Sequence, residues 1–83
     1  MKLKFYSDSG HGWLKTSRKM LEKIGIENLV SSYSYQKGIN VYLEEDCDAG
    51  LLLDALKIHG IDYKIETIRS NRSSIRNYQG YRA

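Results

Sequence analysis

Apolar and polar residues alternate along two stretches of the chain, one at its start and one in its second half. In residues 2–6, two apolar side chains alternate with lysine and tyrosine, and residues 63–68 repeat this period of two. Successive side chains of an extended strand point to opposite faces, so the alternation predicts half-buried strands. Residues 29–36 and 40–44 predict two more strands, with a turn at residues 37–40 between them.

Two further segments carry apolar residues at helical spacing. Each ends at a glycine, Gly25 or Gly60, and an isoleucine follows each glycine. Glycine adopts the left-handed conformation that closes many helices, and the next apolar residue packs back onto the last turn. Thr16 or Ser17 stands where an N-cap hydroxyl is expected before the first helix. The spacing therefore predicts two helices, each between two strands.

The order of these elements is strand–helix–strand, a turn, and strand–helix–strand. A duplicated split βαβ unit is typical of a ferredoxin-like α+β fold. We therefore expect residues 1–68 to form a βαββαβ two-layer sandwich, with both helices on one face of an antiparallel four-stranded sheet. Right-handed crossovers would place the first and third strands side by side in its centre. The alternative is a less regular α+β domain in which residues 29–36 are partly loop.

Charge is unevenly distributed along the chain. The net charge is +3, yet residues 1–66 contain all ten acidic residues. Residues 69–83 are expected to form an arginine-bearing C-terminal tail without any acid, containing Arg69, Arg72, Arg76 and Arg82. The planar guanidinium group suits phosphates, carboxylates and aromatic rings. Ile75 and Tyr81 in the same stretch leave open whether the tail frays or packs onto the body.

The composition excludes several classes of protein. Hydrophobic residues make up 41% of the chain and charged residues 28%, which is the balance of an ordinary globular domain. No uncharged apolar run approaches the roughly 18 residues that cross a bilayer, and the alternating first residues do not resemble a signal peptide. The single cysteine, Cys47, excludes an internal disulfide and a zinc site of several thiolates. We therefore expect a cytoplasmic protein with no membrane partner and no cofactor.

The expected fold places two polar loops at one edge of the sheet. Residues 7–13 follow the first strand and residues 45–48 follow the third, so the two loops would be neighbours. Together they contain Asp8, His11, Glu45, Asp46, Cys47 and Asp48. This composition suits a metal site or an acid–base pair, although no HxH or HExxH spacing fixes ligand geometry. The plainer interpretation is that Asp46 or Asp48 caps the second helix and that Cys47 is a buried, unreactive thiol.

Aromatic residues form a second group of candidates. Tyr33 and Tyr35 share a strand face, and Trp13 follows the glycine-containing loop, where it is also explained as a cover for the edge of a thin core. Aromatic rings and arginine dominate the energetics of protein interfaces. A sheet with exposed rings and basic residues would also suit RNA. Against that use, the basic–glycine–aromatic signature is missing, and Glu44 and the two acids after it would repel phosphates.

Four strings of residues are distinctive: SDSGHGW at 7–13, YSYQKG at 33–38, VYLEEDCD at 41–48 and NRSSIR at 71–76. With these strings the chain resembles a family of short, uncharacterised proteins encoded by bacteriophages and prophages. The resemblance extends over nearly the full length. It implies a viral accessory product made inside a bacterial cell. Small phage proteins of this size often act by binding and blocking a host machine, including defence systems.

The leading hypothesis is a non-enzymatic, phage-type accessory protein that binds a host protein or ribonucleoprotein in the cytoplasm of the infected bacterium. The expected partner-binding residues are Asp8, His11, Trp13, Tyr33, Tyr35, Glu44, Glu45, Asp46, Arg69, Arg72 and Arg76. Their opposed charges would also permit a homodimer. The first alternative is nucleic-acid binding through the arginine-bearing tail. The second is a metal-binding or metal-dependent hydrolase site at Asp8, His11 and Asp46.

Overall fold

The α+β architecture predicted from the sequence is present, but the sheet has six strands instead of four. A computed structural model describes all residues from Met1 to Ala83. In chain order the elements are β1 (Lys2–Ser7), β2 (Gly12–Ser17), α1 (Arg18–Lys23), β3 (Tyr35–Lys37), β4 (Asn40–Glu44), α2 (Ala49–Ile58), β5 (Lys64–Arg69), a 3₁₀ helix (Ser74–Asn77) and β6 (Gln79–Gly80). The strand order is β5-β1-β2-β4-β3-β6.

Strand β2 is the main departure from the predicted sheet. The sequence pattern predicts a loop and a helix cap for its residues, whereas they form a hairpin with β1 in which Phe5 lies opposite Leu14. The first residue of the strand is Gly12, and only glycine fits there, because a Cβ atom would approach the ring of Phe5 to 2.3 Å. Strand β2 therefore separates β1 from β4, and the predicted pairing of these two strands is wrong. Instead, β1 pairs in parallel with β5, and every other pair is antiparallel.

The stretch predicted as a strand over residues 29–36 is mostly turns. Only its last two residues join the sheet, in the short strand β3, where Tyr35 lies opposite Tyr42. The less regular alternative therefore describes this region correctly. The turns are held by side-chain hydrogen bonds to the buried carboxylate of Asp48 instead of by a strand ladder.

Both helices pack on one face of the sheet, as predicted. The main core joins apolar residues of β1, β2 and β4 to α1, α2 and the segment between α1 and β3, and its largest fully buried members include Leu14, Leu21, Leu43, Leu52 and Leu56. Ser17 caps α1, because its Oγ accepts a hydrogen bond from the backbone N–H of Met20 at 3.1 Å. Gly25 and Gly60 follow the helices with φ of 76° and 70°. Neither helix has the length and apolar character needed to cross a bilayer.

The part of the tail between β5 and β6 covers the other face of the sheet as a third layer. Ile75, which is 3% exposed, packs against Trp13 and Tyr42 in a second, smaller core. Tyr81 reaches into the main core, and its hydroxyl donates to the backbone carbonyl of Glu27 at 2.5 Å. Strand β6 extends the sheet by pairing with β3. The question left open by the sequence is thereby answered, because the tail packs onto the body.

Candidate partner-binding site

The two polar loops predicted to be neighbours do lie side by side. Ser7 at the end of β1 lies opposite Gly12 at the start of β2, and Trp13 lies opposite Glu44 at the end of β4. The backbone N–H of Glu45 also donates to the carbonyl of Gly12 at 2.9 Å. The cause differs from the predicted one, since the β1–β2 hairpin brings the loops together.

Asp8 anchors the tail to the first loop. Its carboxylate accepts two hydrogen bonds from the guanidinium group of Arg76, at 2.7 and 2.8 Å, and one from the backbone N–H of Ser73 at 3.1 Å. It also accepts from the backbone N–H groups of Gly10 and His11, both at 3.0 Å. The side chain is 1% exposed. The Arg76 hydrogen bonds, opposed in part by desolvation, hold the pKa of Asp8 well below its usual range.

The other acids of the cluster face different ways. Asp48 is buried and accepts from the hydroxyls of Ser31 and Ser34 at 2.6 and 2.5 Å. It stands at the N-cap position of α2 but makes no side-chain cap bond there. Asp46 donates through its backbone N–H to Glu44 Oε2 at 2.8 Å. The predicted side-chain capping by Asp46 or Asp48 is therefore wrong.

The hypothesis of a metal site at Asp8, His11 and Asp46 requires their side chains to converge on one point, and they do not. No three histidine, cysteine, aspartate or glutamate residues are placed to hold one metal ion. Asp8 is occupied by Arg76, and Asp48 is directed at Ser31 and Ser34. The physical reason is that each buried carboxylate satisfies its oxygens with a local donor instead of sharing a cation with its neighbours.

Cys47 is exposed, and its predicted burial is wrong. Although the residue as a whole is exposed, desolvation around its sulfur raises the pKa of the thiol. A hydrogen bond with Glu44 and the charges of the nearby acids raise it further. The thiolate is the reactive form of cysteine, so this environment makes Cys47 a weak nucleophile.

A pocket of about 480 Å³ opens at this edge of the sheet, and we call it the aromatic–arginine pocket. It is lined by His11, Trp13, Tyr33, Tyr35, Glu44, Cys47, Arg72, Arg76 and Asn77. Most of the predicted partner-binding residues therefore meet in one place. Four do not line it: Asp8 holds Arg76 from behind, Arg69 lines a separate groove, and Glu45 and Asp46 lie outside the pocket.

The rings of the pocket pack around Trp13. Its ring centroid lies 5.8 Å from that of His11 and 6.3 Å from that of Tyr35, and the guanidinium carbon of Arg76 lies 5.7 Å from it. Trp13 is 2% exposed, and its Nε1 is buried without a hydrogen-bond partner. It is thus the centre of the second core as well as a wall of the pocket. Tyr33 contrasts with it, since 71% of that residue is exposed at the rim.

Two features of the site have no signal in the local sequence pattern. The Asp8–Arg76 pair joins residues 68 positions apart, and only the docking of the tail brings them together. Asn77 lines the pocket because the 3₁₀ helix places it there. By contrast, one feature outside the site, the basic end of the sheet, is visible in the sequence. The lysines that alternate with apolar residues in β1 occupy the face opposite the helices, at the other end of the sheet.

No protein-family model, curated protein or solved structure matches this chain. The resemblance to bacteriophage proteins therefore stays a hypothesis, and the geometry of the site is the basis for assigning a function.

Proposed function

We propose that this chain is a non-enzymatic binding protein, a phage-type accessory product whose aromatic–arginine pocket receives a segment of a host protein or ribonucleoprotein. The proposal rests on one observation. The pocket combines side chains that are already held in place with side chains that form no hydrogen bond within the chain. Trp13 and Arg76 are fixed by packing and by Asp8. Tyr33 and Arg72 lie exposed beside them, and neither side chain forms a hydrogen bond within the chain.

The chemistry of the lining suits a polypeptide with mixed charge. Arg72 offers a donor fork to a carboxylate or a phosphate, and Glu44 offers an acceptor on the same lining. Tyrosine, tryptophan and arginine are the residue types that contribute most to protein interfaces. Because Arg76 is already held in place, a partner that contacts it does not have to order it on binding. The raised thiol pKa of Cys47 gives no support to nucleophilic catalysis there.

The test is capture of partners from bacterial lysate by immobilised protein, with and without nuclease, followed by mass spectrometry and calorimetry with the purified partner. We expect Tyr33→Ala and Arg72→Ala to weaken binding by about tenfold or more, as for interface anchors. Arg69→Ala is the matched control, because Arg69 is an exposed tail arginine that lines a different groove. Binding that survives both pocket substitutions would refute the proposal.

The same variants separate the pocket from the arginine-tail alternative. Diffuse attraction of the tail for nucleic acid predicts equal losses from Arg69→Ala and Arg72→Ala, together with a steep salt dependence. Point variants are needed here, since truncation after Ile68 would also remove Ile75 and Tyr81 from the two cores.

A further inference from the structure

Lysines dominate the end of the sheet that lies away from the aromatic–arginine pocket. Lys2 and Lys4 alternate with Leu3 in β1 and so occupy the face opposite the helices. Lys64 of β5 lies beside Lys2 in the parallel pair. Lys15 of β2 lies opposite Tyr42, a member of the core on that same face. Four lysines from three adjacent strands thus share one end of one face.

These lysines are largely without acidic partners. The chain contains two ion pairs, Arg76 with Asp8 and Lys2 with Glu66, and the second is exposed with a separation of 3.6 Å. Lys4, Lys15 and Lys64 form none. Glu66 lies beside Lys4 in the parallel pair of β1 and β5, whereas Lys2 and Lys64 lie side by side, and like charges on neighbouring strands destabilise a sheet.

The lysines line two cavities that share lining residues. Strands β1 and β2 are paired from Phe5 opposite Leu14 to the hairpin loop, and a cavity of about 340 Å³ lies beside the remaining residues, lined by Lys2, Lys4 and Lys15. It shares Met1 and Lys2 with the largest cavity of the molecule, of about 830 Å³, which adds Lys64 of β5 and, from the helix side of the sheet, Lys57 of α2. Asp62 is the one acid of either lining.

We propose that this lysine groove, formed by Lys2, Lys4, Lys15, Lys57 and Lys64, binds the phosphodiester backbone of a single-stranded nucleic acid. The inference does not depend on the function proposed for the aromatic–arginine pocket. The two cavities bring five lysine ammonium groups to one end of the molecule, and phosphate contacts by lysine supply most of the affinity of such complexes.

Aromatic rings beside the lysines favour a single strand. Tyr6 follows Lys4 on the same face of β1 and is half-buried, and Tyr78 of the tail packs on Tyr42 with 5.2 Å between ring centroids. Proteins that bind single strands combine a basic groove with rings on which bases stack. The ammonium group of Lys37 lies 4.9 Å from the centroid of the Tyr78 ring, so positive charge also continues to this side.

The acids of β4 lie toward the pocket end of this face. Glu44 lies opposite Trp13, whereas Asn40 at the other end of β4 lies opposite Ser17 and lines the groove. Because Lys15 lies opposite Tyr42, two residues before Glu44, it is the lysine of this group nearest to these acids, and Lys2 and Lys64 are farther from them. The tail packs on the same face, where Ile75 and Tyr78 lie against Trp13 and Tyr42.

The test measures binding of a fluorescent oligouridylate of about 12 nucleotides, within the site sizes of small single-strand-binding domains. We expect the affinity to fall as salt rises, with a slope of about −0.7 in log–log units for each phosphate contact. The double variant Lys4→Gln, Lys15→Gln should reduce this slope by about 1.4 and weaken binding several-fold. Arginine at both positions should restore binding, because the charge is restored.

The matched control is Lys19→Gln, Lys23→Gln, which removes the same charge from exposed positions of α1 outside the groove. An equal loss in this control, or no measurable binding by the wild-type chain, would overturn the proposal. Tighter binding to an RNA duplex, or to vesicles of anionic phospholipid, would equally overturn it. Inorganic phosphate added at constant ionic strength is the last control. If it displaces the oligonucleotide, the site is a simple anion site and the proposal of a nucleic acid is rejected.

Discussion

The two ends of the tail-covered sheet face carry positive charge in opposite ways. At the pocket end, Arg76 is fixed by two hydrogen bonds to Asp8 and lies over the ring of Trp13. At the other end, Lys4, Lys15 and Lys64 have no ion pair. Arg76 is thus part of the fold and shapes a defined pocket, whereas the unpaired lysines leave a diffuse positive field for an anionic ligand.

The largest effect is expected on stability, from a substitution in the second core that supports the aromatic–arginine pocket. Ile75→Ala removes a 3% exposed side chain from the second core, and we expect it to lower the free energy of unfolding by about 2–4 kcal/mol. Urea denaturation measures this loss. Ile58→Ala is the matched control, because Ile58 is 83% exposed on α2 and should change stability little. Equal effects of the two substitutions would show that the tail does not form a layer.

The next effect is the dependence of stability on pH through Asp8. Its pKa is lower in the folded chain than the usual value of about 3.9, mainly because of Arg76. As the pH falls, the unfolded chain therefore takes up the proton at a higher pH than the folded chain. The contribution of Asp8 to the free energy of unfolding is complete above about pH 5 and is lost progressively as the pH falls below about 4. Asp8→Asn should remove that part of the acid sensitivity, as measured by urea midpoints between pH 7 and pH 3.

Arg76→Gln provides the second arm of this measurement. It removes the largest cause of the lowered pKa and leaves in place the carboxyl group of Asp8 and its backbone donors, Ser73, Gly10 and His11. Both single variants and the double variant should then show less acid sensitivity than the wild-type chain, and the double variant should match Asp8→Asn because the titrating group is absent from both. Wild-type acid sensitivity in both single variants would contradict the assigned role of the pair.

A smaller contrast separates the two arginines of the pocket. Arg72 is exposed and has no hydrogen-bond partner, so Arg72→Ala should change the free energy of unfolding by less than about 0.5 kcal/mol. Arg76→Ala should lower the melting temperature measurably, because it leaves the nearly buried carboxylate of Asp8 without its main partner. Thermal unfolding compares them directly, and a reversed order would mean that Arg72 also supports the fold.

These contrasts show where the sequence was informative. The helix ends at Gly25 and Gly60 follow from local rules, since only the glycine conformation and the adjacent apolar residue are needed. The placement of both helices on one face follows from the order of the elements, strand–helix–strand twice over. Strand β2 was missed because the glycines of the first loop and the caps before α1 resemble turn signals on either side of a short segment.

The candidate site was predictable in its composition but not in its geometry. The chemistry of Trp13, Tyr33 and Arg72 marks them as candidates in the sequence, and they do line one pocket. Their meeting depends on the hairpin and on the docked tail, which are long-range events that local patterns do not encode. The roles of Asp8 and Asp48 were misjudged for the same reason, because their partners lie far away in sequence.

The smallest effect expected concerns the lysine end. If Lys4 and Lys15 repel each other across the groove, Lys4→Gln with Lys15→Gln should raise stability at low salt by a few tenths of a kcal/mol, roughly the size of a cross-strand pair effect. The gain should vanish near 1 M salt, where the screening length is about 3 Å. Melting temperatures across a salt series measure both. A variant that is less stable at low salt would show that these lysines support the fold, and the two ends of the sheet would then no longer differ in how they hold their charge.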